Sequence, residues 1–212
     1  DSLAGTLVNA CVIPTIKLAK DVLNLGPDST LMAGEEWVAT NGSGEVIVQY
    51  SGSNLLLISE RWHLYQMNDE VLRSDFELVC SLGISRQLSA SNTLIGDPNQ
   101  IFLEDGATVE AAILNTSTGP IYIGKNAEIM EGSIVRGPLA MCNNSTLKLG
   151  AKIYGATTLG PHCKVGGEVN NSILFGYSNK GHDGFLGNSL IGEWCNLGAD
   201  TNTSNLKNNY GM

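Results

Sequence analysis

From Ile123 onward the apolar residues of this chain fall at a fixed interval: Ile123, Ile129, Val135, Met141, Leu147, Ile153, Leu159 and Val165. An unbroken spacing of six excludes an α-helix, whose apolar face recurs every three to four residues, and plain strand alternation does not single out every sixth position. Four residues after each stand Ala127, Ser133, Leu139, Ser145, Ala151, Thr157, Cys163 and Val169, most of them small. That is the hexapeptide pattern of a parallel β-helix, in which each rung supplies one short strand and one turn. Three rungs close a triangular coil. Ile123, Met141 and Leu159 are then expected to stack in one column, and Ile129, Leu147 and Val165 in another, with coils ~4.8 Å apart. Cys163 and Cys195 both occupy the small-residue slot, which gives each a structural role.

The repeat has faults. Ile95 to Leu103 is eight residues, Val109 to Ile123 is fourteen, and Val165 to Ile191 is twenty-six. Each exceeds a multiple of six by two, and surplus residues in a solenoid are expected to loop out so that the coils keep register. The second gap holds TSTGP, and the third holds GYSNKGHDGF with one of the chain's three histidines. Rungs resume at Ile191-Gly192 and Leu197-Gly198 and dissolve in NTSNLKNNYGM. An uncapped last coil exposes a strand edge, and the first residue is Asp1. The expectation is a chain that extends beyond both ends.

Composition agrees with a turn-rich β architecture: 25 glycines, 16% charged residues and 6% aromatics. A net charge of −9 leaves no basic face for nucleic acid. No apolar run is long enough to span a membrane, and no signal peptide is expected. Five cysteines, odd in number and without CxxC, read as reduced thiols of a cytoplasmic protein. Residues 1–92 read as a separate α/β domain and residues 93–212 as the β-helix domain. In the first, IPTIKLAKDVLNLGP is expected to be a helix with Ile16, Ala19 and Leu23 on one face and a stop at Gly26-Pro27. EVIVQY and NLLLIS read as two strands joined through Ser51-Gly52-Ser53. Trp62 to Leu82 reads as a second helix, with Leu64, Met67, Val71 and Val79 toward the core and His63 as a packing residue. There is no GxGxxG and no GxxxxGK[ST].

In Gly181-His182-Asp183-Gly184 an imidazole stands in a tight, glycine-flanked turn. A histidine there suits proton removal from an attacking amine or hydroxyl. It suits equally a hydrogen bond to a neighbouring coil.

The stretch KGHDGFLGNSLIGEWCNLGADTNTSNLK resembles the KxGH…YLG…IG…N.NIGAGT.T.N segment of a bifunctional family, N-acetylglucosamine-1-phosphate uridylyltransferase/glucosamine-1-phosphate acetyltransferase. It resembles still more closely the divergent GlmU-like sugar nucleotidyltransferases of Bacteroidetes. The likeness covers roughly residues 95 to 212. LVNACVIPTIKLAKDV and SDFELV resemble the later part of that family's N-terminal domain. The resemblance implies a mainly β chain, a left-handed parallel β-helix preceded by a partial α/β nucleotidyltransferase-like segment. It implies acetyl transfer from acetyl-CoA, as co-substrate, to a glucosamine-1-phosphate-like sugar phosphate in UDP-N-acetylglucosamine-type nucleotide-sugar synthesis. It also implies a homotrimer with sites between subunits, and Mg2+ only where the nucleotidyltransferase domain is complete and active.

By the same resemblance His182 is the general base, Asn196 contacts the sugar phosphate, and the Ala199 amide faces the thioester oxygen. Asn205 contacts the amine and acetyl groups, and Lys207 helps hold phosphate. Phe185 stands where the family has a tyrosine, and GADT replaces GAGT, putting Asp200 in a glycine position. Arg136 is the nearest counterpart of the family's basic residues on earlier coils. These departures keep open a second reading, a catalytically silent trimerising scaffold. A third, a metal site like that of the hexapeptide-fold carbonic anhydrases, requires three histidines from neighbouring coils. Only His162, in LGPHCKVGG, and His182 lie in the repeat, so no metal is expected.

Overall fold

The computed structural model describes residues 5–52 and 55–203, which form two compact units, Asp1–Arg61 and Trp62–Met212. In the first unit Thr15 caps helix α1 (Ile16–Leu23), its hydroxyl accepting from the Leu18 N–H at 3.1 Å. The helix buries Leu18 and Val22 together with Leu31, Val38 and Ala39 of a four-stranded sheet. The expected face of Ile16, Ala19 and Leu23 is therefore incorrect: Ile16 is 55% and Leu23 48% exposed. The pair spaced four apart, Leu18 and Val22, has the β-sheet beneath it, and the two flanking residues turn outward.

The sheet runs in the order Thr6–Val8, Glu36–Asn41, Ser29–Ala33, Val46–Gln49. The expected hairpin between EVIVQY and NLLLIS does not form. Val46–Gln49 instead pairs in parallel along Ser29–Ala33 through four register positions, and Leu57 makes only an isolated bridge to Val12. A long open edge offers more ladder bonds than a short serine-glycine turn can impose.

In the second unit helix α2 (His63–Leu82) buries Asn68, Leu72 and Phe76. Leu64, Met67, Val71 and Val79 lie only half-buried along its flank, one position away. The reason is polar. The Asn68 amide donates to the Ala156 carbonyl at 2.9 Å and accepts from the Thr158 hydroxyl at 2.9 Å, which docks the helix on the solenoid. Arg73 adds a bond to the Thr118 carbonyl at 2.5 Å. Replacing Asn68 with leucine strands both partners in a buried contact, so a loss of about 1–3 kcal/mol is expected in urea unfolding of the whole chain.

Residues 93–191 form a left-handed parallel β-helix of three faces, one five-stranded and two six-stranded. All eight residues of the spacing-six series are inside, each 0% or 1% exposed. Met141 lies between Ile123 and Leu159, and Leu147 between Ile129 and Val165, in the columns that the repeat implies. Ala127, Ser133, Leu139, Ser145, Ala151, Thr157 and Cys163 fill the second inward position and are fully buried. Val169 is the exception, standing in the column of Ile153 and Leu186.

The faults resolve differently from expectation. In the first, Leu94 rather than Ile95 turns inward to the Leu114 column, and the extra length forms a short 3-10 turn at Pro98–Gln100. In the second, the extra residues at Thr116–Pro120 do loop out, between strands Ile113–Asn115 and Ile121–Ile123. The third is a contraction, not a surplus. Val165 pairs with Lys180, fifteen residues on, and Ile191 falls in the Leu159–Leu174 column. Most of the loss is at Gly166-Gly167, where one inward position follows another after four residues instead of six, and the next step, from Val169 to Leu174, is one residue short. Two adjacent glycines can turn this corner because neither carries a Cβ. A Cβ on Gly166 would stand 2.8 Å from the Gly181 carbonyl oxygen.

Among the described residues no helix is long and apolar enough to cross a membrane.

Candidate functional site

His182 lies at the corner between strands Asn179–Lys180 and Phe185–Gly187. Its coil keeps the full six residues between Lys180 and Leu186, while the coil beneath has been shortened at Gly166-Gly167. Gly181–Gly184 therefore overhangs a tighter turn. The local backbone needs Gly184: its φ is +119°, and a Cβ there would stand 2.3 Å from the Thr201 carbonyl oxygen. His182 and Asp183 are both exposed, and the imidazole makes no hydrogen bond among the described residues. Asp183 does not orient it.

The next coil aligns residue by residue above this one. Asn179 bridges to Asn196, the Asp200 N–H donates to the Asp183 carbonyl at 3.0 Å, and the Thr203 N–H donates to the Phe185 carbonyl at 2.8 Å. That register puts Ala199 directly above His182, on the same corner. The Ala199 N–H meets no acceptor among the described residues, which leaves it available to an external oxygen. The Asn179 side-chain amide donates to Asn196 Oδ1 at 2.6 Å, so two carboxamides line the outward face beside the corner. Lys164 stands one coil below Asn179 in the same column. Phe185 opens the adjoining face with its ring outward, since Leu186 beside it is buried. Its N–H is held by Asn202 Oδ1 at 2.7 Å.

Four of the residues singled out in the sequence, His182, Phe185, Asn196 and Ala199, are thus gathered on two successive coils around one corner. Asn205 and Lys207 lie outside the described residues. Arg136 is remote. It stands in the column of Tyr154, Asn170 and Gly187, three coils below the His182 rung, or about 14 Å at the usual strand spacing. Lys164, close by, went unnoticed in the sequence. Its signal was the regularity of the repeat, in which a residue just before an inward apolar residue points out.

Lys180 was also missed. It occupies the inward column of Val109, Ile129, Leu147 and Val165, and is 1% exposed. Its Nζ donates to the carbonyls of Gly166 at 2.9 Å and His182 at 3.0 Å. Burial pushes the Lys180 ammonium below its ordinary pKa, against the opposing pull of the Asp183 carboxylate.

His162 belongs to a different corner. A ladder of left-handed residues runs up that edge: Asn126, Asn144, His162, Tyr177 and Trp194, with φ from 56° to 62°. Asparagine tolerates this conformation, but bulky residues resist it. Here the last three stack face to face: His162 and Tyr177 at 4.9 Å, Tyr177 and Trp194 at 4.5 Å, within 9° of parallel. Stacking offsets the backbone cost, and it commits His162 to the turn. Among the described residues no three His, Cys, Asp or Glu side chains are grouped to hold a metal ion. Cys163 is buried in the small-residue slot and Cys195 half-buried in its own; all five cysteines are free thiols.

No protein-family model matches the chain. Among curated proteins it is similar to the "Bifunctional protein GlmU" of Synechococcus elongatus, 22% identical over 184 residues, covering 76% of this chain and 40% of that protein. The protein of the same name from Trichormus variabilis is 28% identical over 161 residues, 66% of this chain and 36% of its own length. The one from Trichodesmium erythraeum is 31% identical over 86 residues, 40% and 18% respectively. The chain spans about two fifths of the length of the first of these relatives. Over about two thirds of its length the chain is thus similar, at low identity, to the bifunctional GlmU proteins.

Proposed function

We propose that the β-helix transfers an acetyl group from acetyl-CoA to the amino group of a glucosamine-1-phosphate-like sugar phosphate, with His182 as the general base. The observation that carries this reading is the placement of an exposed imidazole below a backbone N–H, that of Ala199, which meets no acceptor among the described residues, on adjoining coils of one corner. In the reaction the sugar amine attacks the thioester carbonyl and its nitrogen forms the new amide bond. His182 takes the proton that the amine sheds, and the Ala199 N–H stabilises the oxyanion. The carbon–sulfur bond then breaks, and coenzyme A leaves as a thiolate that recovers a proton.

The flanking groups fit the acceptor. Asn179 and Asn196 present hydrogen-bonding carboxamides to a sugar, and Lys164 supplies positive charge for the phosphate one coil below. Phe185 offers an apolar ring without the hydroxyl of a tyrosine. Asn205 and Lys207 are assigned to the acetyl group and the phosphate on family resemblance. So too is a homotrimer in which a neighbouring subunit completes each site, within a cytoplasmic enzyme of nucleotide-sugar synthesis. Residues 1–92 are assigned to the end of a nucleotidyltransferase domain, which uses Mg2+ when whole, and residues 93–212 to the acetyltransferase.

Mixing the protein with acetyl-CoA and glucosamine-1-phosphate and following free thiol tests the proposal. Thiol release that requires both substrates is expected. A protein that binds neither and releases none is the scaffold alternative.

A further inference from the structure

Among the described residues Lys180 is the one charged side chain that is fully buried, and the chemistry above leaves it without a task. In its column every lower coil places an apolar residue, Val109, Ile129, Leu147 or Val165. An amine at this place needs partners, and the contracted coil supplies them. The Gly166 N–H donates to the Lys180 carbonyl at 2.7 Å, and the next bond up the corner is from the Glu168 N–H to the Gly184 carbonyl at 3.2 Å. Between these two bonds the upper coil spans Gly181–Gly184 while the lower has only Gly167. The carbonyls of Gly166 and His182 are left outside the ladder, and Lys180 Nζ donates to both.

Gly167 leaves the space that this requires. Its φ is +70°, and a Cβ there would stand 2.9 Å from Lys180 Nζ and 2.8 Å from the His182 carbonyl oxygen. Lysine, diglycine and overhanging corner are parts of one arrangement.

We propose that Lys180 is a positioning residue for His182. From inside the solenoid its amino group ties the His182 backbone to the shortened coil beneath and fixes where the imidazole projects. The role rests on the acyl-transfer reading of the site. Without the tie, the four-residue corner has no side-chain anchor on its inner side, and an imidazole on a drifting backbone meets the amine less often in a productive geometry.

The test uses Lys180→Met, which matches the length and the apolar column but donates nothing, and Lys180→Gln, which keeps two N–H donors. Three measurements are made on the full chain: thermal melting, backbone amide NMR signals of Gly181–Gly184, and steady-state kinetics with acetyl-CoA and glucosamine-1-phosphate. For Lys180→Met the corner amides are expected to shift and broaden while those of the coils from Ile121 to Leu159 hold. Its kcat falls on the order of tenfold to a hundredfold, and KM for acetyl-CoA stays within about twofold. Lys180→Gln recovers part of kcat.

A folded Lys180→Met protein with unchanged corner amides and wild-type kcat overturns the positioning role alone. Failure of both variants to fold overturns it in favour of a purely structural lysine. A wild-type chain that transfers no acetyl group overturns the reading of the site and the catalytic purpose of Lys180 with it, whatever the amide signals show.

Discussion

Replacing His182 with alanine is expected to lower acetyl transfer about 10²–10⁴-fold, the usual loss when a general base is removed. Coenzyme A binding should be almost unchanged. The ring is exposed and makes no hydrogen bond among the described residues, so its loss leaves no buried partner unsatisfied and the melting temperature should hold. The informative control is His162→Asn. Asn126 and Asn144 already hold the same left-handed corner on earlier coils, so asparagine fits the backbone there and only the ring stack with Tyr177 is lost. Turnover of His162→Asn should stay close to wild type. The measurement is kcat for both variants at saturating substrates, with folding checked by thermal melting. A folded His182→Ala protein with near-normal turnover removes the catalytic role and brings forward the silent scaffold.

The largest effect on stability is expected from Leu147→Ala, a loss of about 2–5 kcal/mol. Leu147 is fully buried between Ile129 below and Val165 above. Neighbouring coils cannot settle into the space it vacates, because parallel ladders on all three faces hold their separation at the strand spacing. Leu149, two residues away on the same coil, is 69% exposed, and Leu149→Ala should change stability by no more than about 0.5 kcal/mol. Urea denaturation followed by circular dichroism measures both. Equal losses at the two positions would mean that inward packing is not what holds the coils together.

The interior of the solenoid was legible from the sequence because a coil contacts only its neighbours. One column position recurs in identical surroundings, so its apolar requirement is written into the chain at a fixed interval from Ile123 to Val165. His182 was legible for a related reason: a break in a regular text is visible, and it carried glycines and an ionisable ring. The glycine-flanked turn does need Gly184 in a conformation closed to other residues.

The nature of the break was decided only by tertiary pairing. Counting from Val165 to Ile191 assumes four full rungs, but the ladder bonds place five rungs between them, three of them shortened, and turn an apparent surplus into a contraction. Hydrophobic spacing is silent about which column a residue joins once the period slips. For the same reason Lys180 was invisible as a core residue: charge normally signals exposure, and only the stranded carbonyls of Gly166 and His182 make its burial tolerable.

Arg136 and Lys164 divide along the same line. Sequence distance from His182 could not rank them, whereas the coil register sets Arg136 three coils away and Lys164 beside the site. In the helices the apolar faces were misjudged by a residue or two, because Leu18 and Val22 follow the sheet beneath them and Asn68 docks through hydrogen bonds rather than hydropathy. By itself the sequence determined the periodic core and the corner that bears the histidine, since both are local or nearest-neighbour properties. The tertiary structure alone decided which side chains meet around that corner, because register is set by ladder hydrogen bonds summed over whole coils and not by any one residue's preference.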